Sequence, residues 1–286
     1  MIFQLQAPAK LNLYLEVVAR RVDGYHELRT LMCPVSLCDT VRIRLGGDGI
    51  QLRCRAPGVP ESPSNLAWRA AEAFCRTLAE NGAEPPEGVR IQLEKRIPVG
   101  GGLGGGSSDA ASVLLGLNRI LDHPLRSPQL ARIASGIGAD VPFFLLGKPA
   151  LAAGVGDRLA PFEGLFPHPV IIVDPGFSLS TEAVYADLNL ALTKCGERHR
   201  KLAFRGRKPE VATLLCNDLE TAVFPRHPVL EIIKNTLLEF GALGSLMSGS
   251  GACVFGIFAD SAGVRQAYER ISRDRNWRLY LAEMMV

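Results

Sequence analysis

Along the first fifty residues apolar and polar positions alternate. Phe3, Leu5 and Ala7 have polar neighbours, and Leu11, Leu13 and Leu15 are interleaved with Lys10, Asn12, Tyr14 and Glu16, the period-two pattern of strands. Asp23-Gly24 is a hairpin-turn signal between two such runs. "TVRIRL" and "IQLRC" continue the pattern around Gly46-Gly47-Asp48-Gly49. The period then changes. Ala67, Ala70, Ala71, Phe74 and Leu78 recur at three and four, predicting an amphipathic helix capped by Ser64 or Asn65. A strand follows at "VRIQLEK", then a helix whose face carries Ala110, Leu114, Leu117 and Leu121, and another around Gln129 to Ser135. Beyond "LAAGVGDRL", the run "PVIIVDPG" reads as a buried strand and "TEAVYADLNLAL" as a helix. "HPVLEIIKNTLLEFG" reads as a helix closed by Gly241, "SLM" and "ACVFGIF" as strands, Ala262 to Ser272 as a helix, and "WRLYLAE" as a last strand. Strands and helices mixed in both halves predict two α/β or α+β domains, joined near Gly147 to Gly156.

Composition narrows this only a little. The chain has 286 residues, 47% hydrophobic and 21% charged, so a substantial core is expected and wholesale disorder is not. A net charge of +3 suits anionic small molecules and is too mild for a nucleic-acid-binding profile. Seven cysteines without a C-x-x-C pair argue against a disulfide framework and against a structural zinc site. The start, MIFQLQAPAK, lacks the charged segment and long apolar stretch of a secretory signal, and Val141 to Val155 is broken by Lys148 and Pro149. A cytoplasmic protein is expected, with no membrane partner.

One stretch does not follow from packing. "VGGGLGGGSSDAA", Val99 to Ala111, places six glycines in the seven positions from 100 to 106 and then turns helical. Glycines let backbone N–H groups approach a bulky anion, and a helix start presents its unsatisfied N–H groups to the same point. Ser107, Ser108 and Asp109 supply capping oxygens and first-turn charge. A linker has no use for a capped helix. A Walker loop needs Gly-Lys-Ser/Thr, which is missing. A G-x-G-x-x-G does occur at Gly100, Gly102 and Gly105, but a dinucleotide fold wants an acidic residue at the end of the next strand. Asp122 has that spacing and lies at the end of a helix instead. A phosphate cradle fits best.

Other chemistry-bearing residues are ambiguous one by one. Lys10 and Asn12 share a strand face opposite the leucines, as catalytic groups or as the exposed side of an edge strand. Asp140, in "GADVPFFLLG", is a carboxylate entering a strongly apolar segment, as a chemical group or as a cap for a short helix with Pro142 in its first turn. Tyr25 and His26 could hold a nucleobase or be an ordinary core tyrosine and surface histidine. "SGSGAC", Ser248 to Cys253, is a tight turn or a second approach to phosphate. Lys194, Arg198, Arg200, Lys201, Arg205, Arg207 and Lys208 read first as a solvated loop.

Taken together, "PAKLNL" (Pro8–Leu13), "DGYHEL" (Asp23–Leu28), "PVGGGLGGGSSDAA" (Pro98–Ala111), "GADVPFF" (Gly138–Phe144) and "MSGSGACVF" (Met247–Phe255) resemble the motifs of the GHMP small-molecule kinases. "DGYHEL" and the doubled glycine triplet narrow the resemblance to the branch acting on a cytidine diphosphate-linked methylerythritol. The resemblance implies an α+β, two-domain GHMP kinase fold. Its N-terminal α/β domain, 1–153, would hold the phosphate loop, and its C-terminal domain, 154–286, would be ferredoxin-like. It implies ATP as co-substrate with Mg²⁺, and transfer of the γ-phosphoryl group to the substrate's 2-hydroxyl. By matching position Asp140 is the base, and Lys10 holds it ionised and orients the hydroxyl, an opposite charge within ~4–6 Å favouring the carboxylate. Pro98, Val99, Gly100, Gly101, Gly102, Leu103, Gly104, Gly105, Gly106, Ser107 and Ser108 would receive the phosphates, and Asn65, Leu66 and Lys95 fall in the nucleotide pocket. On the substrate side stand Asn12, Tyr25 packed on the cytosine, His26 reading it, Tyr185 as the opposite wall, and Thr181 near the diol. No protein residue is singled out as a metal ligand, and no partner beyond the small-molecule substrate is implied for a monomer or weak homodimer. Another GHMP kinase, for homoserine, mevalonate or a sugar, is the alternative. Two positions depart from the pattern: Asp109 where asparagine is frequent, expected to point away and cap, and Met32 where an aromatic often flanks the cytidine.

Overall fold

The computed structural model describes residues 2–196, 210–275 and 277–286, the side chain of Asp274 excepted. It divides into two compact units that interleave along the chain: residues up to Ala9, Cys38–Val99 and Gly104–Gly147 form the first, and Lys10–Leu37, Gly100–Leu103 and Lys148–Val286 the second. The interleaving arises because two strands much longer than usual, β1 (Phe3–Arg20) and β2 (His26–Leu45), each contribute to both units. The chain enters the second unit for the last time at Lys148.

In the first unit β3 (Gly49–Cys54) runs parallel to β4 (Gly88–Glu94), and β4 pairs antiparallel with the end of β2, from Thr40↔Glu94 to Leu45↔Val89. Their inward residues, Val41, Ile43, Leu52, Ile91 and Leu93, alternate with exposed or half-buried ones and are buried. Helix α1 (Leu66–Glu80) buries the Ala67, Ala70, Ala71, Phe74 and Leu78 face that the periodicity predicts, and three alanines let it pack closely on α2 (Gly105–Ile120). α2 lies against the strands at Gly116, where a Cβ would stand 2.5 Å from Ile43 Cδ1. Two further helices, α3 (Ser127–Ile137) and α4 (Val141–Leu146), complete the unit.

In the second unit β5 (Ala150–Gly154) pairs with β2 and with β6 (Arg158–Pro161), both antiparallel. The chain continues through β7 (Pro169–Asp174), the short α5 (Thr181–Ala186), α6 (Val211–Leu214), the two-residue β8 (Cys216–Asn217) and α7 (Glu220–Val223). Then come α8 (Pro228–Glu239), β9 (Gly244–Met247), β10 (Val254–Ile257), α9 (Ser261–Asp274) and β11 (Arg278–Glu283). The antiparallel sheet runs β11-β7-β10-β9, so β7-α8-β9-β10-α9-β11 is a ferredoxin-like βαββαβ arrangement, as the family resemblance implies. β7 and β10, the central strands, are apolar on both faces, and Leu230, Ile233 and Leu237 of α8 with Val264, Ala267 and Ile271 of α9 join Ile171, Val173 and Val254 in one core.

β8 and its neighbours α6 and α7 were not legible in the pattern. β8 pairs parallel to β1 at Tyr14↔Cys216 and Leu15↔Asn217. Against the cysteine reading, Cys195 and Cys216 form a disulfide, with Cα atoms 5.7 Å apart; Cys33, Cys38, Cys54, Cys75 and Cys253 are free. Cys195, Cys216 and Asp218 have the spacing of metal ligands. Asp218 is nevertheless occupied, its carboxylate accepting from the Val17, Lys194 and Cys195 N–H groups. Of the basic stretch only Lys194 lies within the described residues. No described helix is long and apolar enough to cross a membrane.

The core of the first unit gives a direct check. Phe74 is fully buried between α1 and its neighbours. Phe74→Ala is expected to lower unfolding free energy by about 3–5 kcal/mol, read from the urea midpoint at unchanged m-value.

Candidate active site

The glycine tract begins four residues after β4, and its conformation explains its composition. Gly100, Gly102 and Gly104 have φ of +70°, +75° and +70°, open to glycine and strained for other residues. Helix α2 starts at Gly105, two residues earlier than the serines suggested, with Gly104 at the N-cap and no side-chain capping bond. Ser107 and Ser108 therefore sit inside the first turn and Asp109 just beyond it, and none of them caps the helix, contrary to expectation. Ser108 Oγ is buried without a partner, while Ser107 is half-buried. The first-turn N–H groups of this 16-residue helix therefore meet no capping side chain.

Within the second unit, Gly100–Leu103 nests against the Ser248–Gly251 loop at the end of β9. A Cβ at Gly102 would lie 2.0 Å from the Ser248 carbonyl oxygen. Ser248 Oγ donates to the Gly102 carbonyl at 3.1 Å and accepts from the Asn12 N–H at 3.4 Å. The Lys10 N–H donates to the Leu103 carbonyl at 2.9 Å, and the Cys253 N–H to that of Gly101 at 3.2 Å. At Gly249, with φ of +56°, a Cβ would come within 3.0 Å of the Gly102 oxygen, 3.2 Å of Asn12 Oδ1 and 3.3 Å of Lys10 Nζ. Lys10 and Asn12, 4% and 3% exposed, are thus buried against two glycine loops, which removes the edge-strand reading. The Lys10 ammonium donates to Asn12 Oδ1, and Asn12 Nδ2 donates to Thr30 Oγ1 at 2.8 Å, so Asn12 is fixed at both ends. Asn217, missed in the sequence, anchors the loop by donating to the Met247 and Gly249 carbonyls, each at 2.8 Å.

Also in this unit His26 stacks on Tyr185, centroids 5.0 Å apart and planes at 28°, so two of the expected base-binding residues meet. Burial, with help from Arg20, holds the His26 imidazole below its ordinary pKa. Tyr25 is 66% exposed, not a core tyrosine. Thr181, at the start of α5, hydrogen-bonds through its hydroxyl to Ser250 at 2.8 Å, tying α5 to the same loop. Met32 is buried in the core.

In the first unit Asn65 caps α1, Oδ1 accepting from the Ala67 N–H at 2.9 Å and Nδ2 donating to the Pro60 carbonyl at 2.8 Å. Leu66 Cδ1 would touch a Cβ at Gly106 at 3.7 Å, placing α1's start beside the first turn of α2. Ser107 Oγ similarly lies 3.9 Å from a Cβ at Gly138, two residues before Asp140. Asp140 is at the N-cap of α4, half-buried, yet its side chain makes no capping bond. The cap reading of this carboxylate therefore fails. Lys95 is buried, its ammonium bound to Asp39 and, at 2.6 Å, to Asp109 Oδ2. Asp109 accordingly pairs inward where the sequence suggested a cap pointing away. Asp39, which no pattern singled out, also accepts from the Arg96 and Ile97 N–H groups, at 2.6 and 2.9 Å.

Two carboxylates share one ammonium in this triad. Burial pushes the Asp109 carboxyl up to about 7, with Asp39 adding to the rise and Lys95 opposing it. The folded chain therefore holds a proton that the unfolded chain releases near pH ~3.9. The stability this contributes is complete below pH ~4, declines as pH rises, and is lost above about 7. Asp109→Asn should flatten the fall in stability between pH 5 and pH 8 and leave the variant more stable at pH 8, by on the order of 1–3 kcal/mol. Urea unfolding at three pH values checks this; equal pH slopes for both proteins would contradict it.

Comparison with known proteins identifies the family. Residues 65–148 match the family GHMP kinases N terminal domain, and 200–275 match GHMP kinases C terminal. A 4-diphosphocytidyl-2-C-methyl-D-erythritol kinase of Geotalea daltonii is 46% identical over 96% of both chains. That of Geobacter sulfurreducens is 45% identical over 96% of this chain and 95% of its own. A crystal structure of 4-(cytidine 5'-diphospho)-2C-methyl-D-erythritol kinase superposes with a TM-score of 0.82 at 38% identity, covering 99% of this chain and 100% of the other. Homoserine kinase from Cytophaga hutchinsonii, at 18% identity, TM-score 0.73 and coverage of 100% and 95%, shares the fold. The chain belongs to the 4-diphosphocytidyl-2-C-methyl-D-erythritol kinase family of the GHMP kinases.

Proposed function

We propose that this chain transfers the γ-phosphoryl group of ATP to the 2-hydroxyl of 4-(cytidine 5'-diphospho)-2-C-methyl-D-erythritol, releasing ADP and the 2-phosphate, in the non-mevalonate route to isoprenoid precursors. The observation that carries this reading is the buried Lys10–Asn12 pair laid against two glycine loops. A fixed cation beside bare backbone is suited to holding phosphoryl oxygens. Phosphoryl transfer asks little covalent chemistry of the protein, and positioning with charge neutralisation does most of the work.

In this reading the glycine loop and the first turn of α2 receive the triphosphate, and Leu66 borders the nucleotide. Asp140 takes the proton of the attacking 2-hydroxyl, whose oxygen forms the new P–O bond as the bond to ADP breaks. Lys10 supplies positive charge for the reacting groups, and Asn12 fixes its ammonium. His26 and Tyr185 are in direct stacking contact, so a cytosine meets the pair from outside and does not slide between the rings. Tyr25 and Thr181 complete the substrate side. Mg²⁺ prefers oxygen ligands and keeps several waters. The serine hydroxyls at the start of α2, above all half-buried Ser107, fit such an ion, whereas the Cys195–Cys216–Asp218 cluster does not. When bound, the ion neutralises phosphate charge. The division into domains 1–153 and 154–286 and a cytoplasmic setting belong to the same proposal.

Purified protein with Mg-ATP and the cytidine-linked substrate should yield product heavier by one phosphate. Phosphorylation of homoserine or mevalonate instead, with the cytidine compound untouched, would replace this reading by another GHMP kinase. Asp140→Asn should cost turnover at least ~10²-fold with nucleotide binding kept, and near-normal turnover would remove its role as base. Gly102→Ala forces a Cβ to within 2.0 Å of the Ser248 carbonyl, so the loops must separate. A loss of kcat/KM of about 10²-fold is expected, measured on the folded variant.

A further inference from the structure

A loop made of glycine has no side chains to hold its own shape, so its ends must be held for it. Both ends of the tract meet at the buried Lys95 group of the first unit. Before the tract, Asp39 Oδ1 accepts from the N–H groups of Arg96 and Ile97, the residues leading into it. After the tract, Asp109 lies in the first turns of α2. The Lys95 ammonium joins the two, donating to Asp39 Oδ2 and to Asp109 Oδ2. It also lies against the helix start itself, 3.3 Å from where a Cβ at Gly105 would stand, with Ile97 Cγ2 at 3.1 Å from the same point. All three side chains are almost wholly buried.

We propose that Lys95, Asp39 and Asp109 are positioning residues for nucleotide binding, a clasp that fixes the separation of the two ends of the glycine-rich loop. This rests on the reading of that loop as the nucleotide phosphate site and deepens it. Lys95 then acts on the nucleotide through the loop ends, its ammonium being spent on the two carboxylates. The mechanical part of the clasp is the hydrogen bond between Lys95 and Asp109, which joins the strand side to the helix side. Asparagine at 109 can keep that bond through its side-chain oxygen, whereas alanine cannot. Alanine is a good helix residue, so Asp109→Ala is not expected to harm α2 itself.

The test is ADP binding by calorimetry to the full-length chain, with Asp109→Ala, Asp109→Asn and Lys95→Met compared. The clasp predicts that Asp109→Ala raises the ADP Kd at least fivefold and the KM for ATP in parallel, with the KM of the acceptor within twofold. It predicts that Asp109→Asn stays within twofold of the wild type, and that Lys95→Met, where it folds, matches Asp109→Ala. An unchanged Kd in Asp109→Ala overturns the clasp. So does equal tightening in Ala and Asn variants, because the group would then act by its charge alone, and so does a fall in thermal stability with no change in Kd. Because ADP binding needs no acceptor, a chain that shows these shifts but does not phosphorylate the cytidine compound would refute the proposed substrate and leave the clasp standing.

Discussion

The structure of the second unit turns on a contact that only absent atoms allow. Gly102 and the Ser248 carbonyl come so close that any Cβ would overlap the oxygen, and Gly249 presents the same bareness to Lys10 and Asn12. Close approach of backbone to backbone is what glycine supplies at an entropic cost, and the cost must be offset by what the approach makes possible. Here it lets a hairpin end seat in a loop and brings a lysine and an asparagine of β1 against the Gly249 backbone. Asn217 and Glu220 hold the hairpin from behind: Asn217 donates to the Met247 and Gly249 carbonyls, and Glu220 accepts from the Met247 N–H while paired with Lys234. Burial raises the pKa of Glu220 and Lys234 opposes that rise. The hairpin is therefore held by a charged pair, Glu220 and Lys234, that bonds it at Met247, the residue before the loop, and the loop need not carry charge itself.

Much of this was legible in the sequence because periodicity reports burial on one face. α1 is the clearest case: its five buried residues are the five that recur at three and four, and Asn65 caps it as its residue type suggests. β1 shows where the same logic stops. Alternation correctly put Lys10 and Asn12 on the face opposite the leucines, but both faces of β1 from Lys10 to Glu16 are buried. A pattern of alternating polarity cannot distinguish a wet face from one covered by glycine loops brought from positions 100 and 248. β8 failed for a different reason. Two residues carry no period, and its pairing with β1 is fixed by contacts across two hundred residues.

The first turn of α2 was misread for a reason of the same kind. Ser107, Ser108 and Asp109 are residue types that cap, and local preference put them at the cap. Gly104 in the left-handed region starts the helix without them. Asp109 is then carried one turn inward, where Lys95 and Asp39 wait, the latter seventy residues earlier in the chain. A buried carboxylate needs a partner more than a helix needs a side-chain cap, because an unpaired buried charge costs several kcal/mol and a missing cap about one. The tertiary partner wins, and the first-turn N–H groups remain uncapped.

What the nesting of loops achieves for the tract can be followed through its peptide planes. In a trans peptide the carbonyl of one residue and the N–H of the next point in opposite directions. Within the second unit the carbonyls of Gly101, Gly102 and Leu103 are each taken by a donor: the Cys253 N–H, the Ser248 hydroxyl and the Lys10 N–H. Three consecutive planes are thereby fixed, and with them the N–H groups of Gly102, Leu103 and Gly104, which must point away from those donors. A glycine chain alone would sample many orientations of these amides, and ordering them at the moment of binding would weaken affinity. Pinning the oxygens orders the N–H groups beforehand, so that, on the proposed reading of the loop as the phosphate site, its freedom is used for close approach and not lost again on binding.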